Sequence, residues 1–208
     1  MLRLLAVVAL CMAMGPAHSQ TSADVKPPER ISIGSGFSVA PPEGPGWVSD
    51  GKAPMYGKKL PGEGHSLIFV AATGPSGITR DEIASIGEPD GASKLVKLVT
   101  AFNMRAWKAH ASGSIDRFEK IDARTESGGE FDIGKLLCAY SLIRVRDHNR
   151  IIEGSPALLR VASYTCIEFP DMTVAATVSY SERGREQDLA ESAMTEGEKF
   201  ARSLLRQK

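Results

Sequence analysis

Apolar and polar residues alternate along most of this chain with the period of two that marks half-buried strands. Ile31-Ser32-Ile33 and Phe37-Ser38-Val39 predict short strands, stopped by Pro41-Pro42 and a Gly/Pro turn through Gly46. Trp47-Val48 resumes an extended stretch. Met55 to Leu60 and Ser66 to Thr73 flank Pro61-Gly62-Glu63-Gly64, the pattern of a hairpin. The period then changes. Thr79 and Glu82 fit a capping box over a helix cut short by Gly87 and Pro89. Residues 92–110 repeat apolar groups at spacings of three and four (Leu95, Leu98, Val99, Phe102, Ala106, Trp107), which predicts a longer helix that buries this stripe. Beyond Gly113, strand composition returns at Phe118–Arg124, Lys135–Arg146, Ala157–Phe169 and Met172–Tyr180. A final helix is expected over Asp188–Arg206, capped by Asp188 and Glu191, with Leu189, Ala193, Phe200 and Leu204 as its apolar stripe.

The N-terminus follows a different rule. Arg3, an apolar run from Leu4 to Met14, and Ala17-His18-Ser19 are the three parts of a secretory signal peptide. Cleavage is expected before Gln20. The run is shorter than the ~20 residues that span a bilayer. A lipoprotein cut before Cys11 is the competing reading, but Leu10 stands where a small residue belongs. Residues 20–29 form a polar, Pro-ended lead. One α+β domain is expected over 30–208.

Charge and cysteine content narrow the picture further. The chain has 25 Lys+Arg and 25 Asp+Glu, and cleavage removes Arg3 and no acid, leaving one net negative charge. Such a balance supplies no field to gather nucleic acid or an anionic membrane. Cys138 and Cys166 are the two thiols left after cleavage, and in an oxidising compartment they are expected to form a disulfide that adds roughly 3–4 kcal/mol.

If Cys138 faces Cys166 in an antiparallel pair, paired numbers sum to 304 and the turn centres on Ile152. A two-residue turn at Pro170-Asp171 would set Ile167 against Val174 and Val161 against Tyr180. Together these registers gather Ile143, Val145, Leu159, Val161, Ile167, Phe169, Met172, Val174, Val178 and Tyr180 on one face, the expected core. The disulfide would then lie on the opposite face with Leu136, Tyr140, Leu142 and Tyr164. That face also carries Arg144, Arg160 and Glu168, and a helix is expected to cover part of it.

Gly36-Phe37-Ser38-Val39-Ala40-Pro41-Pro42 followed by Trp47 resembles the opening of PsbP-like domains. The order of hairpin, helix, strand meander and C-terminal helix with a Phe near its end resembles the same family. It includes bacterial envelope proteins of the DcrB type. The resemblance implies an antiparallel sheet with a central and a C-terminal helix, arranged as an α/β/α sandwich. It also implies a binding or accessory role, and it carries over no catalytic residue.

The residues point the same way. His65, His110 and His148 lack the spacing of a zinc site and read as isolated surface histidines. No G-x-S-x-G elbow is present, and His65 beside Ser66 would point to the other face of a strand. Gly34-Ser35-Gly36 and Gly74-Pro75-Ser76-Gly77 do not open a phosphate-binding helix in the required form, and read as structural loops. Trp47 and Trp107 read as core. Asp147, His148, Arg150 and Glu153 cluster at the tip of the long hairpin, which makes them the candidate interaction loop. The expected function is an exported, non-catalytic envelope protein that binds a protein partner or small ligand, with no cofactor, metal or nucleic acid. The rivals are a periplasmic hydrolase whose site is assembled from distant residues, and a host-directed secreted factor.

Overall fold

In the computed structural model the described residues are 29–49, 54–79, 117–127, 130–168 and 172–207, with isolated positions at 51, 81, 84 and 97. The signal peptide, its cleavage site and the helix expected over 92–110, including Phe102 and Trp107, lie outside them. So does most of the short helix that Thr79 was expected to cap.

Ten strands account for most of the rest. In chain order they are β1 (Ile31–Gly34), β2 (Phe37–Val39), β3 (Val48–Ser49), β4 (Met55–Lys59) and β5 (Ser66–Pro75). After the central segment come β6 (Phe118–Ser127), β7 (Leu136–Ile152), β8 (Ser155–Glu168) and β9 (Val174–Gly184). A 3₁₀ turn (Glu186–Asp188), the helix α1 (Glu191–Arg202) and β10 (Leu205–Arg206) end the chain. Seven strands form one antiparallel sheet in the order β3-β4-β5-β9-β8-β7-β6, while β1, β2 and β10 form a second, small sheet. The architecture is α+β, dominated by antiparallel sheet. No helix among the described residues is long and apolar enough to cross a membrane.

The β4–β5 hairpin pairs Met55 with Val70 through Lys59 with Ser66, as the turn residues predict. In the β7–β8 pair, Cys138 lies opposite Cys166 and Leu142 opposite Ala162, which is the predicted register. That register ends at Asp147. A bulge over 148–150 shifts the ladder so that Ile152 meets Ser155, and the turn falls at Glu153-Gly154 rather than at Ile152. Both turn residues have positive φ, 49° and 81°, the backbone of a tight hairpin whose twist matches its strands.

The β8–β9 register departs from expectation by one residue. Ile167 faces Ala175 rather than Val174, and Val161 faces Ser181 rather than Tyr180. A slip of one turns every side chain to the other face. Val178 and Tyr180 therefore share a face with Tyr164 and Cys166, not with Val161 and Ile167. The main core is the disulfide face: Leu136, Cys138, Tyr140, Ala162, Tyr164, Cys166, Ala176, Val178 and Tyr180, joined by Tyr56, Leu67 and Phe69. The Cys138–Cys166 bridge is formed, with Cα atoms 4.1 Å apart, slightly closer than the ~4.4 Å at which such bridges usually begin. The expectation that it would sit opposite the apolar face is thus corrected. Among the described residues the reverse face holds a smaller cluster of Ala139, Ile167, Met172 and Ala175, beside hydroxyl pairs such as Ser163–Ser179 at 2.8 Å.

Helix α1 covers the disulfide face, as expected of a helix there. Ala193, Phe200 and Ala201 are buried, and Phe200 stacks on Phe69 with ring centroids 5.2 Å apart. The helix is shorter than its apolar pattern suggests. Asp188 does not cap it; that carboxylate pairs with Arg185, and Ala190 holds the N-cap position without a side-chain cap. Phe37 and Val39 close the core from the small sheet. Trp47 packs on Phe69 at 4.3 Å, and its indole N–H donates to Glu196 at 3.1 Å.

Candidate binding cleft at the hairpin tips

A cleft of about 490 Å³ opens where the β4–β5 turn meets the bent end of the β7–β8 hairpin. Lys59, Glu63, His65 and Ser66 line it from the first hairpin, Arg150, Ile151 and Ile152 from the second, and Arg183 from β9 between them. The bulge makes this possible. It lets β7 bend across the sheet until Ile152 rests over the Gly64 backbone.

Asp147 holds the bulge. Its side chain is fully buried, and both carboxylate oxygens accept from Arg117, at 2.8 and 2.9 Å. Arg183 approaches Oδ2 at 3.1 Å, and the Asn149 amide donates to Oδ1 at 3.2 Å. The Arg117 hydrogen bonds hold the Asp147 carboxyl below the usual carboxylate range despite its burial. Burial lowers the proton affinity of Arg183, and the neighbouring Arg117 and Arg150 charges add to this.

On the other face of the same sheet end, Glu182 is also fully buried. Its Oε1 accepts from His65 Nε2 at 2.8 Å and from the Ala190 amide at 3.2 Å, and Oε2 accepts from Arg160 at 2.7 Å. His65 Nδ1 lies 2.9 Å from the Pro61 carbonyl. Both ring nitrogens thus lie against protein oxygen atoms, Pro61 O and Glu182 Oε1, rather than against the open cleft. His65 is 8% exposed, so the expectation of a surface histidine is corrected for this residue. The group is a structural knot joining β5, β8, β9 and the start of α1. Among the described residues no cluster of three His, Cys, Asp or Glu side chains could hold a metal ion.

The candidate interaction loop is dispersed by this geometry. Asp147 points inward, and His148 turns outward to Glu119 at 3.2 Å. Glu153 pairs with Arg185 at 2.6 Å at the turn, and of the four only Arg150 lines the cleft. Sequence reasoning missed Lys59, His65 and Arg183 as its neighbours. One signal was present: a charged residue inside each of two strands, Arg160 and Glu182, which stand directly opposite each other.

Compared with known families and characterised proteins, the chain matches no family model and no curated sequence.

Proposed function

We propose that this chain is an exported, non-catalytic protein of the cell envelope that receives a protein partner or small ligand in the cleft between the two hairpin tips. The observation that carries this reading is the division of labour around the cleft. Its imidazole is consumed by structural hydrogen bonds, while Arg150, Lys59 and the 57%-exposed Ile151 face outward with nothing assigned to them. A site with exposed contact groups, and an imidazole turned to Pro61 O and Glu182 rather than to the opening, suits binding better than hydrolysis. The secretory pattern of residues 1–19 and the disulfide support export. The resemblance of residues 36–42 and Trp47 to the opening of PsbP-like domains supports an accessory role.

The test compares mature protein with an Ile151→Asp variant in pull-downs from envelope extract. Wild type is expected to retain a species that the variant releases, with unchanged circular dichroism. Identical retention by both proteins removes the cleft from the account. Ester, peptide or phosphate hydrolysis that disappears in His65→Gln would favour the hydrolase instead.

A further inference from the structure

We infer that the cleft binds a phosphate-type oxyanion, either free phosphate or the phosphate group of a larger molecule. This deepens the reading of the cleft as a binding site and rests on it.

The cleft carries more cation than its carboxylates can answer. Arg150 and Lys59 are exposed and have no hydrogen-bond or ion-pair partner among the described residues. Arg183 shares a single carboxylate with Arg117, which already occupies both oxygens of Asp147. The Nε of Arg183 is buried without a hydrogen-bond partner. Glu63, on the rim, is the one carboxylate that lines the opening.

The lining therefore sets Lys59, Arg150 and Arg183 against Glu63 alone, an excess of two positive charges, while Arg117 and Asp147 offset each other behind it. A phosphate monoester, with about −1.5 to −2 charge at neutral pH, offsets that excess, whereas a single carboxylate would leave half of it. Guanidinium forks match the oxygen geometry of phosphate, and the Ser66 hydroxyl on the same wall can donate as well. The cleft is larger than one phosphate ion, and Ile151 gives it an apolar wall. An organic phosphate, with its apolar body on Ile151, fits better than the bare ion.

The experiment is calorimetric titration of mature protein with inorganic phosphate and with pyrophosphate at fixed ionic strength. A parallel flotation assay uses phosphatidylglycerol against phosphatidylcholine vesicles. Saturable binding of a soluble phosphate identifies a small-molecule source, while binding only to phosphatidylglycerol vesicles identifies a lipid headgroup. In either case Arg150→Glu is expected to weaken binding by about tenfold or more, and Glu63→Gln to strengthen it. Lys135→Glu, an equal charge change at an exposed site away from the cleft, should leave affinity within about twofold. No saturable binding of any phosphate probe, or equal weakening by Lys135→Glu, overturns the inference. If the phosphate probes fail while Ile151→Asp still releases a captured species, the oxyanion falls and the binding reading stands. If Ile151→Asp changes nothing in the pull-down, it is the binding reading that falls.

Discussion

Asp147 sits in a strand, has no exposed surface, and answers two guanidinium groups. Removing one partner of a buried ion pair leaves the other charge uncompensated, which is more damaging than never having the pair. Asp147→Asn keeps the shape and removes the charge, so it should lower stability by about 3 kcal/mol in urea unfolding. A loss under about 1 kcal/mol would mean that solvent already serves Arg183. Because hydrogen bonds from Arg117 depress the folded-state pKa, the stabilisation is complete above the ordinary value of 3.8 and fades as pH falls through the lower folded value. Unfolding curves of the two proteins should therefore begin to converge only as pH falls below 3.8. The buried tyrosines respond at the opposite extreme. Burial pushes Tyr164 up to about 12, and Tyr140 and Tyr180 upward as well. Here the folded state favours the protonated phenol. Stability should be full below the ordinary value of 10.0 and decline as pH rises toward 12. Phenolate absorbance appearing together with loss of structure, rather than before it, would confirm the order of events.

Helix α1 has twelve residues, too few to hold together in water without packing. Its seat is decided by Gly197, where a Cβ atom would lie 2.2 Å from Tyr180 Cδ2 and 2.8 Å from Tyr180 Cβ. On an exposed helix Gly→Ala stabilises by about 1 kcal/mol. At this contact the sign should reverse, with Gly197→Ala lowering stability by about 1–3 kcal/mol, read as a fall in Tm. A stabilised variant would show that the helix does not rest on β9 here. The β8–β9 register makes a related point about what alternation alone can settle. Apolar residues lie on both faces of β8, so the pattern tolerated a slip of one. Opposite charges did not. Only the observed register puts Arg160 against Glu182, within hydrogen-bonding reach at 2.7 Å.

Across the molecule, the disulfide ties the two longest strands inside the main core. It spans 28 residues of sequence, and both cysteines are buried. The double variant Cys138→Ala/Cys166→Ala should lose roughly 3–4 kcal/mol, the chain-entropy value for a loop of this length. Alkylation of native, oxidised protein followed by mass spectrometry should find neither Cys138 nor Cys166 modified. Modification of either one would exclude a permanent structural bridge. Burial also removes the pair from thiol exchange at the surface, in keeping with a structural role.

Sequence alone was enough for the elements whose cause is local. Hairpin β4–β5 follows from its turn residues, the strand identities from alternation, and the Cys138–Cys166 pairing from having two thiols on neighbouring strands. Tertiary structure decided the rest, because the deciding contacts join residues far apart in the chain. The bulge at 148–150 depends on Asp147 meeting Arg117 and Arg183. The start of α1 depends on Glu182 accepting the Ala190 amide rather than on a capping side chain. The cleft itself exists because that bulge brings Arg150 to Lys59 and Arg183. No periodicity records such meetings. Each is set by the burial of a charge, whose energy depends on which partner the whole fold supplies.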